Sequence, residues 1–243
     1  MEELVLIGNP IAHSISPLIH NTILKGRKTY GLELVKTDEL QEFVRKFDGI
    51  GFNITAPHKT EIMRYLDEIS QEAREIGAVN TVKRENGRLV GYNTDAAGFL
   101  RQLEHDGVEI VGKTIKIIGT GGSSCAIEYI LNKNGAKNIL KYNRSNIKEF
   151  TPVCDVLINA TPVGTYPDIN EMAVDIEGVL AETAVVDIIY NPRKTKLMQI
   201  AEEMGCRTYN GLKMLVFQAI IAEEIWFGEK IPEQVLEEIL NVC

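Results

Sequence analysis

Gly119-Thr120-Gly121-Gly122-Ser123-Ser124 lies between a strand-like run, Thr114 to Gly119, and a helical pattern, Ser124 to Asn134, and its reading decides the fold. A glycine-rich turn that leaves a strand and opens a helix is built to hold a pyrophosphate on the helix N-terminus. Gly119 permits the tight turn and Gly121 lets the backbone approach a phosphate, with Gly122 and Ser123 completing the loop. Ser124 stands where a third Gly or Ala is usual. Downstream come strands at Asn138 to Tyr142, Val156 to Asn159 and Val185 to Ile189. A helix carrying Leu197, Ile200, Ala201 and Met204 follows and stops at Gly205. Strand alternating with helix predicts a parallel, doubly wound, Rossmann-like sheet.

In such a fold the strand about 20 residues beyond the loop ends in Asp or Glu when a ribose 2′-hydroxyl is bound, whereas Arg suits a 2′-phosphate. Here that position reads Asn143-Arg144-Ser145, without an acid. NADP is therefore expected over NAD, with Arg144 against the phosphate and Lys148 as a second charge.

Upstream the pattern differs. Leu4 to Gly8, Pro17 to Lys25, Tyr30 to Lys36, Asp38 to Phe47 and Ile50 to Thr55 read as β-α-β-α-β. Helical stretches at Pro57 to Leu66 and Ser70 to Ile76 come next, then a hairpin turning at Asn86-Gly87. Asp95 to His105 reads as a bridging helix that stops at Gly107. The chain ends in helices at Leu212 to Phe227 and Pro232 to Asn241, the first apolar on much of its surface. An α/β protein of two domains is expected. Residues 1–97 plus 213–243 form one, completed by the C-terminal helices, and 98–212 form the NADP-binding domain.

The composition narrows the function classes. The chain has 243 residues, of which 44% are hydrophobic and 25% charged, enough for a sizeable core. With 26 Lys and Arg against 34 Asp and Glu, the net charge of -8 offers no field for a nucleic-acid backbone. An anionic ligand must be met by local charge or helix N-termini. No apolar run nears the length of a membrane span and no signal peptide is visible, so a cytoplasmic protein without membrane partners is expected. Cys125, Cys154, Cys206 and Cys243 are too scattered for a metal site and read as reduced thiols. His58, beside Lys59, reads as a surface neighbour.

Polar residues gather where strands have just ended: His13-Ser14-Ile15-Ser16, Asn53 to Lys59, and Asn93-Thr94-Asp95. Strand ends are where α/β proteins bind ligands. Ser16 before Pro17 is accounted for as a helix N-cap, whereas Ser14 is not. Two hydroxyls beside a helix N-terminus suit a carboxylate. Lys59, in the first turn of the expected helix, opposes its dipole. Lys59 and Asp95 together could move a proton to a carbonyl oxygen while a nicotinamide delivers hydride. The structural alternative is a solvated Lys and an N-cap Asp.

These residues resemble the shikimate dehydrogenase family. The resemblance rests on Gly8-Asn9-Pro10-Ile11, His13 to Pro17, His20-Asn21, Asn53 to Lys59, Gly77 to Thr81, Gly91 to Asp95, Ile158 to Pro162 and Asn210-Gly211-Leu212, in order along nearly the whole chain. It implies an NADP-dependent oxidoreductase of aromatic amino-acid biosynthesis that interconverts 3-dehydroshikimate and shikimate in a cleft between its domains. By that resemblance Lys59 is the proton donor and Asp95 its partner. Ser14 and Ser16 bind the substrate carboxylate, Thr55, Asn80 and Gln218 hold ring hydroxyls, and Tyr190 lies on the substrate side. Thr161 belongs with the cofactor and Gly211 near the nicotinamide. A small-molecule substrate and a monomer or homodimer are expected. The rivals are a quinate/shikimate enzyme using NAD and a non-catalytic ligand-binding relative. One departure stands out: Asn143 and Asp155 are only 12 positions apart, where the family has a helix and a strand. A missing βα unit would thin one wall of the adenine pocket.

Overall fold

The computed structural model describes residues 3–232 and 234–243. Along the chain run β1 (Leu4–Gly8), α1 (Ser16–Leu24), β2 (Tyr30–Leu34), α2 (Leu40–Lys46), β3 (Gly51–Ile54), β4 (Glu68–Ile69), α3 (Gln71–Ile76), β5 (Thr81–Glu85), β6 (Arg88–Tyr92) and α4 (Asp95–Asp106). Then come β7 (Thr114–Ile118), α5 (Gly122–Lys133), β8 (Asn138–Tyr142), β9 (Val156–Asn159), β10 (Ala184–Asp187), α6 (Lys196–Glu203), β11 (Arg207–Asn210), α7 (Leu212–Phe227) and α8 (Gln234–Val242). The chain divides into two compact units, Met1–Gly98 with Leu215–Cys243, and Phe99–Met214. The backbone passes from one to the other within α4 and returns within α7.

In the first unit six strands form a mixed sheet in the order β2-β1-β3-β5-β6-β4. Every residue of Leu4–Gly8 is buried, as a central parallel strand covered on both faces should be, whereas β2 at the edge alternates. The Asn86-Gly87 turn has φ of 50° and 82° and joins antiparallel β5 and β6, the two-residue hairpin geometry that matches strand twist. Under the sheet Phe52 meets Phe43 and Phe47 edge-on, at centroid distances of 5.2 and 4.8 Å. None of the residues of α7 is exposed. Its Trp226 donates to the Val82 carbonyl at 2.9 Å, and its Glu223 pairs with His20 of α1.

Three local expectations are corrected here. Pro57 to Leu66 is a turn followed by a short 3₁₀ segment, Glu61–Arg64: the Val79 amide takes the Lys59 carbonyl that an α-helix would offer to Met63, whose amide bonds the Thr60 carbonyl instead. Lys59 therefore opposes no helix dipole. Asp38 to Phe47 splits into a 3₁₀ turn, Thr37–Glu39, and α2. His58 is fully buried, its Nε2 at 2.6 Å from the Val35 carbonyl, so it is an internal anchor and not a surface residue.

In the second unit five strands run parallel in the order β11-β10-β9-β7-β8. This is the doubly wound, Rossmann-like order 3-2-1-4-5-6 with strand 3 absent from the edge. The crossover from β8 to β9, residues 143–155, holds only a 3₁₀ turn at Ile147–Glu149. Among the described residues no helix is long and apolar enough to cross a membrane.

Candidate active site

Strand register brings the polar motifs of the first unit to one end of its sheet. Ile7 of β1 pairs with Ile54 of β3, Asn53 with Thr81 of β5, and Thr81 with Tyr92 of β6. The segments that follow β1, β3 and β6, and the one that precedes β5, emerge side by side. These are Ser14 to Ser16, Thr55 to Lys59, Asn93 to Asp95, and Asn80.

At the centre Lys59 Nζ donates to Asp95 Oδ2 at 2.6 Å, with side-chain exposures of 16% and 7%. Asp95 is not the N-cap. The Asn93 carboxamide oxygen accepts from the Asp95 and Ala96 amides and so caps α4, which leaves the Asp95 carboxylate in the first turn, where the dipole favours it. Its second oxygen, Oδ1, accepts from Asn80 Nδ2 at 2.8 Å. The turn that carries Lys59 is pinned by a hydrogen bond from the Val79 amide to the Lys59 carbonyl.

Asn80 is fixed from behind. Its Oδ1 accepts from the Thr94 amide at 2.8 Å and from Thr81 Oγ1 at 3.1 Å. Asn53 donates to Thr81 Oγ1 and to the Asn80 carbonyl, and its own Oδ1 accepts from Tyr30 at 2.7 Å. These buried neighbours hold a rotamer that an isolated Asn would not keep. Tyr30 escaped the sequence reading, and Thr81 and Thr94, though inside the quoted motifs, had no role there, since each looks like an ordinary strand-end residue. Only the pairing register reveals them.

Ser16 does not cap α1. The helix has no side-chain cap, and the Ser16 hydroxyl accepts from Ser14 Oγ at 3.1 Å, so both hydroxyls stay beside the helix N-terminus and can turn to a ligand. Thr55 follows β3, and its hydroxyl makes no hydrogen bond among the described residues. Gln218 of α7 reaches the same cluster, its Oε1 3.4 Å from Thr94 Oγ1 and 3.5 Å from Asn80 Nδ2. Tyr190 belongs to the second unit, half-buried just beyond β10.

In the second unit the glycine loop has the form a pyrophosphate requires. Gly119 has φ of 118°, and a Cβ there would lie 2.8 Å from the Ala160 carbonyl oxygen. A Cβ at Gly121 would meet nothing within 4 Å, so the backbone stays open to approach in front of the first-turn amides of α5, which Gly122 and Ser123 begin. Ser124 is buried, and its hydroxyl donates to the Gly119 carbonyl at 2.7 Å. That bond explains how Ser serves in place of the usual Gly or Ala.

Beyond β8, Asn143 Oδ1 accepts from the Ser145 amide and hydroxyl at 2.8 and 2.6 Å, a closed turn that presents Arg144 outward. Arg144 and Lys148 are exposed and form no ion pair among the described residues. Two exposed cations outside any ion pair fit a phosphate monoester, although the exposed Glu149 follows Lys148 in the same turn. Thr161 bonds to Asn159 Oδ1 through its amide and hydroxyl. Asn159 in turn donates to Asp187, whose other oxygen accepts from Thr195. Burial pushes the Asp187 carboxyl up, against hydrogen bonds from Thr195, the Ile189 amide and Asn159. Sequence reading missed this network, which shapes the loops after β9 and β10. A Cβ at Gly211 would lie 1.9 Å from the Ile188 carbonyl oxygen, a packing demand independent of any ligand.

Comparison with known proteins bears on the whole of this arrangement. Residues 6–82 match the family model described as the shikimate dehydrogenase substrate binding domain, and residues 211–240 that of the shikimate 5'-dehydrogenase C-terminal domain. The chain is 42% identical to the shikimate dehydrogenase (NADP(+)) of Caldicellulosiruptor bescii, over 99% of this chain and 95% of that one. A chorismate mutase/shikimate 5-dehydrogenase fusion protein from Clostridium acetobutylicum superposes with a TM-score of 0.90 at 37% identity, covering 98% of this chain and 96% of that one. The shikimate 5-dehydrogenase of Thermus thermophilus, solved in complex with NADP(H) and shikimate, gives 0.87 at 31% identity, covering 100% and 99%. The alignment with the C. bescii enzyme spans 273 positions, roughly thirty more than this chain brings to it, the size of a βα unit. That shortfall is in keeping with the five-stranded sheet. Identity at this level along almost the entire length, including the segments that carry Lys59 and Asp95, means that the chain belongs to the shikimate dehydrogenase family.

Proposed function

We propose that the protein is an NADP-dependent shikimate dehydrogenase, reversibly reducing 3-dehydroshikimate to shikimate in aromatic amino-acid biosynthesis. The observation that carries this reading is the Lys59–Asp95 contact of 2.6 Å, its carboxylate held in turn by Asn80. Ser14 and Ser16 take the substrate carboxylate at the α1 N-terminus, and Thr55, Asn80 and Gln218 hold the ring hydroxyls. Tyr190 is assigned to the substrate on the family resemblance. These bonds orient the ketone so that its oxygen faces Lys59. In reduction Lys59 gives a proton to that oxygen and recovers one from water, while Asp95 keeps the amine aimed. Bound NADPH supplies the hydride that the ketone carbon accepts. Gly119, Gly121, Gly122 and Ser123 hold the pyrophosphate, Asn143, Arg144, Ser145 and Lys148 the 2′-phosphate end, and Thr161 and Gly211 the nicotinamide side.

The test is an initial-rate assay with shikimate or quinate against NADP or NAD. Shikimate with NADP should turn over fastest. A preference for quinate or NAD would move the assignment to the rival enzyme, and no turnover from folded protein would make the site a sensor. Ser14→Ala should raise KM for shikimate with kcat little changed, and a fall in kcat alone would remove the carboxylate role. Arg144→Ala should remove a charge-assisted contact worth about 1.5–3 kcal/mol, weakening NADP roughly 10- to 150-fold and NAD hardly at all. Equal losses would overturn the 2′-phosphate assignment. The reading also places the protein in the cytoplasm, as a monomer or homodimer, and its four free thiols suit a reducing compartment.

A further inference from the structure

Lys116 lies mid-strand in β7, an interior strand beside the glycine loop, and only 4% of it is exposed. A lysine on a parallel strand buried on both faces is out of pattern with Ile115, Ile117 and Ile118 around it. Strand alternation puts it on the face of Ile118, whose cluster includes Tyr142, Cys154 and Leu157, with Ile147 and Phe150 packed against it. A doubly wound sheet normally covers such a face with a helix. Here the short crossover of residues 143–155 crosses it instead.

The crossover is fastened to that lysine. Lys116 Nζ donates to the Thr151 carbonyl at 2.6 Å and to Thr151 Oγ1 at 2.7 Å. It also sits 5.8 Å from the Tyr142 ring centroid and 5.5 Å from that of Phe150, and those rings meet edge-on at 5.3 Å. Its charge is felt locally: burial pushes the Cys154 thiol up to about 11, against the pull of Lys116. Tyr142 ends β8 and Phe150 and Thr151 close the following turn, so all three anchors bracket Asn143 to Lys148, the stretch that presents Arg144. An apolar side chain could fill the space, but it could not hold the Thr151 carbonyl.

We propose that Lys116 is a positioning residue for the cofactor's 2′-phosphate, stapling the shortened crossover to the sheet so that Arg144 and Lys148 are held where a missing βα unit would otherwise support them. The proposal rests on reading the Arg144 turn as the 2′-phosphate site. Its consequence is specific to one cofactor, because the pyrophosphate loop and the nicotinamide side do not depend on residues 143–151.

The test is Lys116→Met, which keeps the volume and removes the donor. Equilibrium titration of NADPH and NADH, followed by their fluorescence, should show NADPH weakened about three- to tenfold and NADH unchanged. The value of kcat at saturating NADP should hold. Without cofactor, amide hydrogen exchange should rise across residues 143–151 and not in α5. Thr151→Val, at an exposed residue, removes one acceptor and should shift NADPH in the same direction by less, which keeps the question answerable if Lys116→Met folds poorly. Equal weakening of both cofactors, or of neither, would overturn the proposal. Arg144→Ala separates the layers: if it lowers NADPH selectively while Lys116→Met does not, the staple is wrong and the 2′-phosphate site stands. If Arg144→Ala is not selective, the site itself is misassigned.

Discussion

Lys59→Ala should lower kcat roughly 10²–10⁴-fold with KM for shikimate near its original value, the signature of a lost acid acting only in the transition state. The geometry explains why the loss falls on chemistry and not on the fold. Lys59 contributes no helix, since its turn is fixed by backbone bonds at Thr55, His58 and Val79 that Ala retains. Asp95 does not become an isolated buried charge either. Its Oδ1 keeps Asn80, and it stays in the first turn of α4, capped by Asn93. The space vacated by a side chain that is 16% exposed is open to water, so melting should move little. Steady-state rates in both directions, with a thermal melt on the same sample, make the measurement. An unchanged kcat would remove Lys59 from the mechanism, and a collapsed melting temperature would make it structural.

Much of this arrangement is legible in the sequence, for reasons that differ from element to element. β1, β8 and β9 are bounded correctly because short apolar or β-rich runs end at polar turn residues. The two-domain α/β class follows from the glycine loop and the alternation after it. β4 and β11 escape such reading: Glu68–Ile69 and Arg207–Asn210 have no apolar signature, and each exists only because a neighbouring strand offers it an edge. Pro57 to Leu66 misleads because Ile62, Met63 and Leu66 fall at helical spacing, while a tertiary demand, the Lys59 turn, decides the backbone.

The same divide runs through the site. Lys59 and Asp95 declare themselves by residue type near strand ends. Whether Ser16 and Asp95 act as caps cannot be read locally, because the capping rule is satisfied by either neighbour, and the structure gives the cap of α4 to Asn93. Asn53 and Tyr30 matter only through register, 23 residues apart in sequence. Lys116 reads as a flaw in a strand until the crossover above it is seen.

Glu223→Ala should be the most destabilising change at a polar residue of the first unit, costing about 3–5 kcal/mol and lowering the melting temperature on the order of 10 °C. Glu223 and His20 lie 203 residues apart, with side chains 1% and 0% exposed, and their contact of 2.6 Å ties α7 to α1. His20 stacks on Tyr30 at 3.9 Å with the rings nearly parallel, and Trp226 is tilted against both. Burial first, and then the Glu223 charge, push the Tyr30 hydroxyl well above its ordinary value, so it stays a donor to Asn53. Removing the carboxylate strands an imidazole whose Nε2 already has no partner among the described residues. Both imidazole nitrogens are then unmet in a buried site, where before Nε2 alone was, and the loss of the unmet Glu223 Oε2 offsets this only in part. Glu223→Gln retains an oxygen for His20 Nδ1 and should cost only about 1–2 kcal/mol. Neither residue is among those assigned to the substrate, and Asn53 keeps its bonds to Asn80 and Thr81, so kcat of the folded fraction at 25 °C should stay near the original value. That separates this pair from Lys59, whose loss should do the reverse. A Glu223→Ala protein that melts within 2 °C of the parent would show that the pair contributes nothing net, its Coulomb gain cancelled by the cost of burying it.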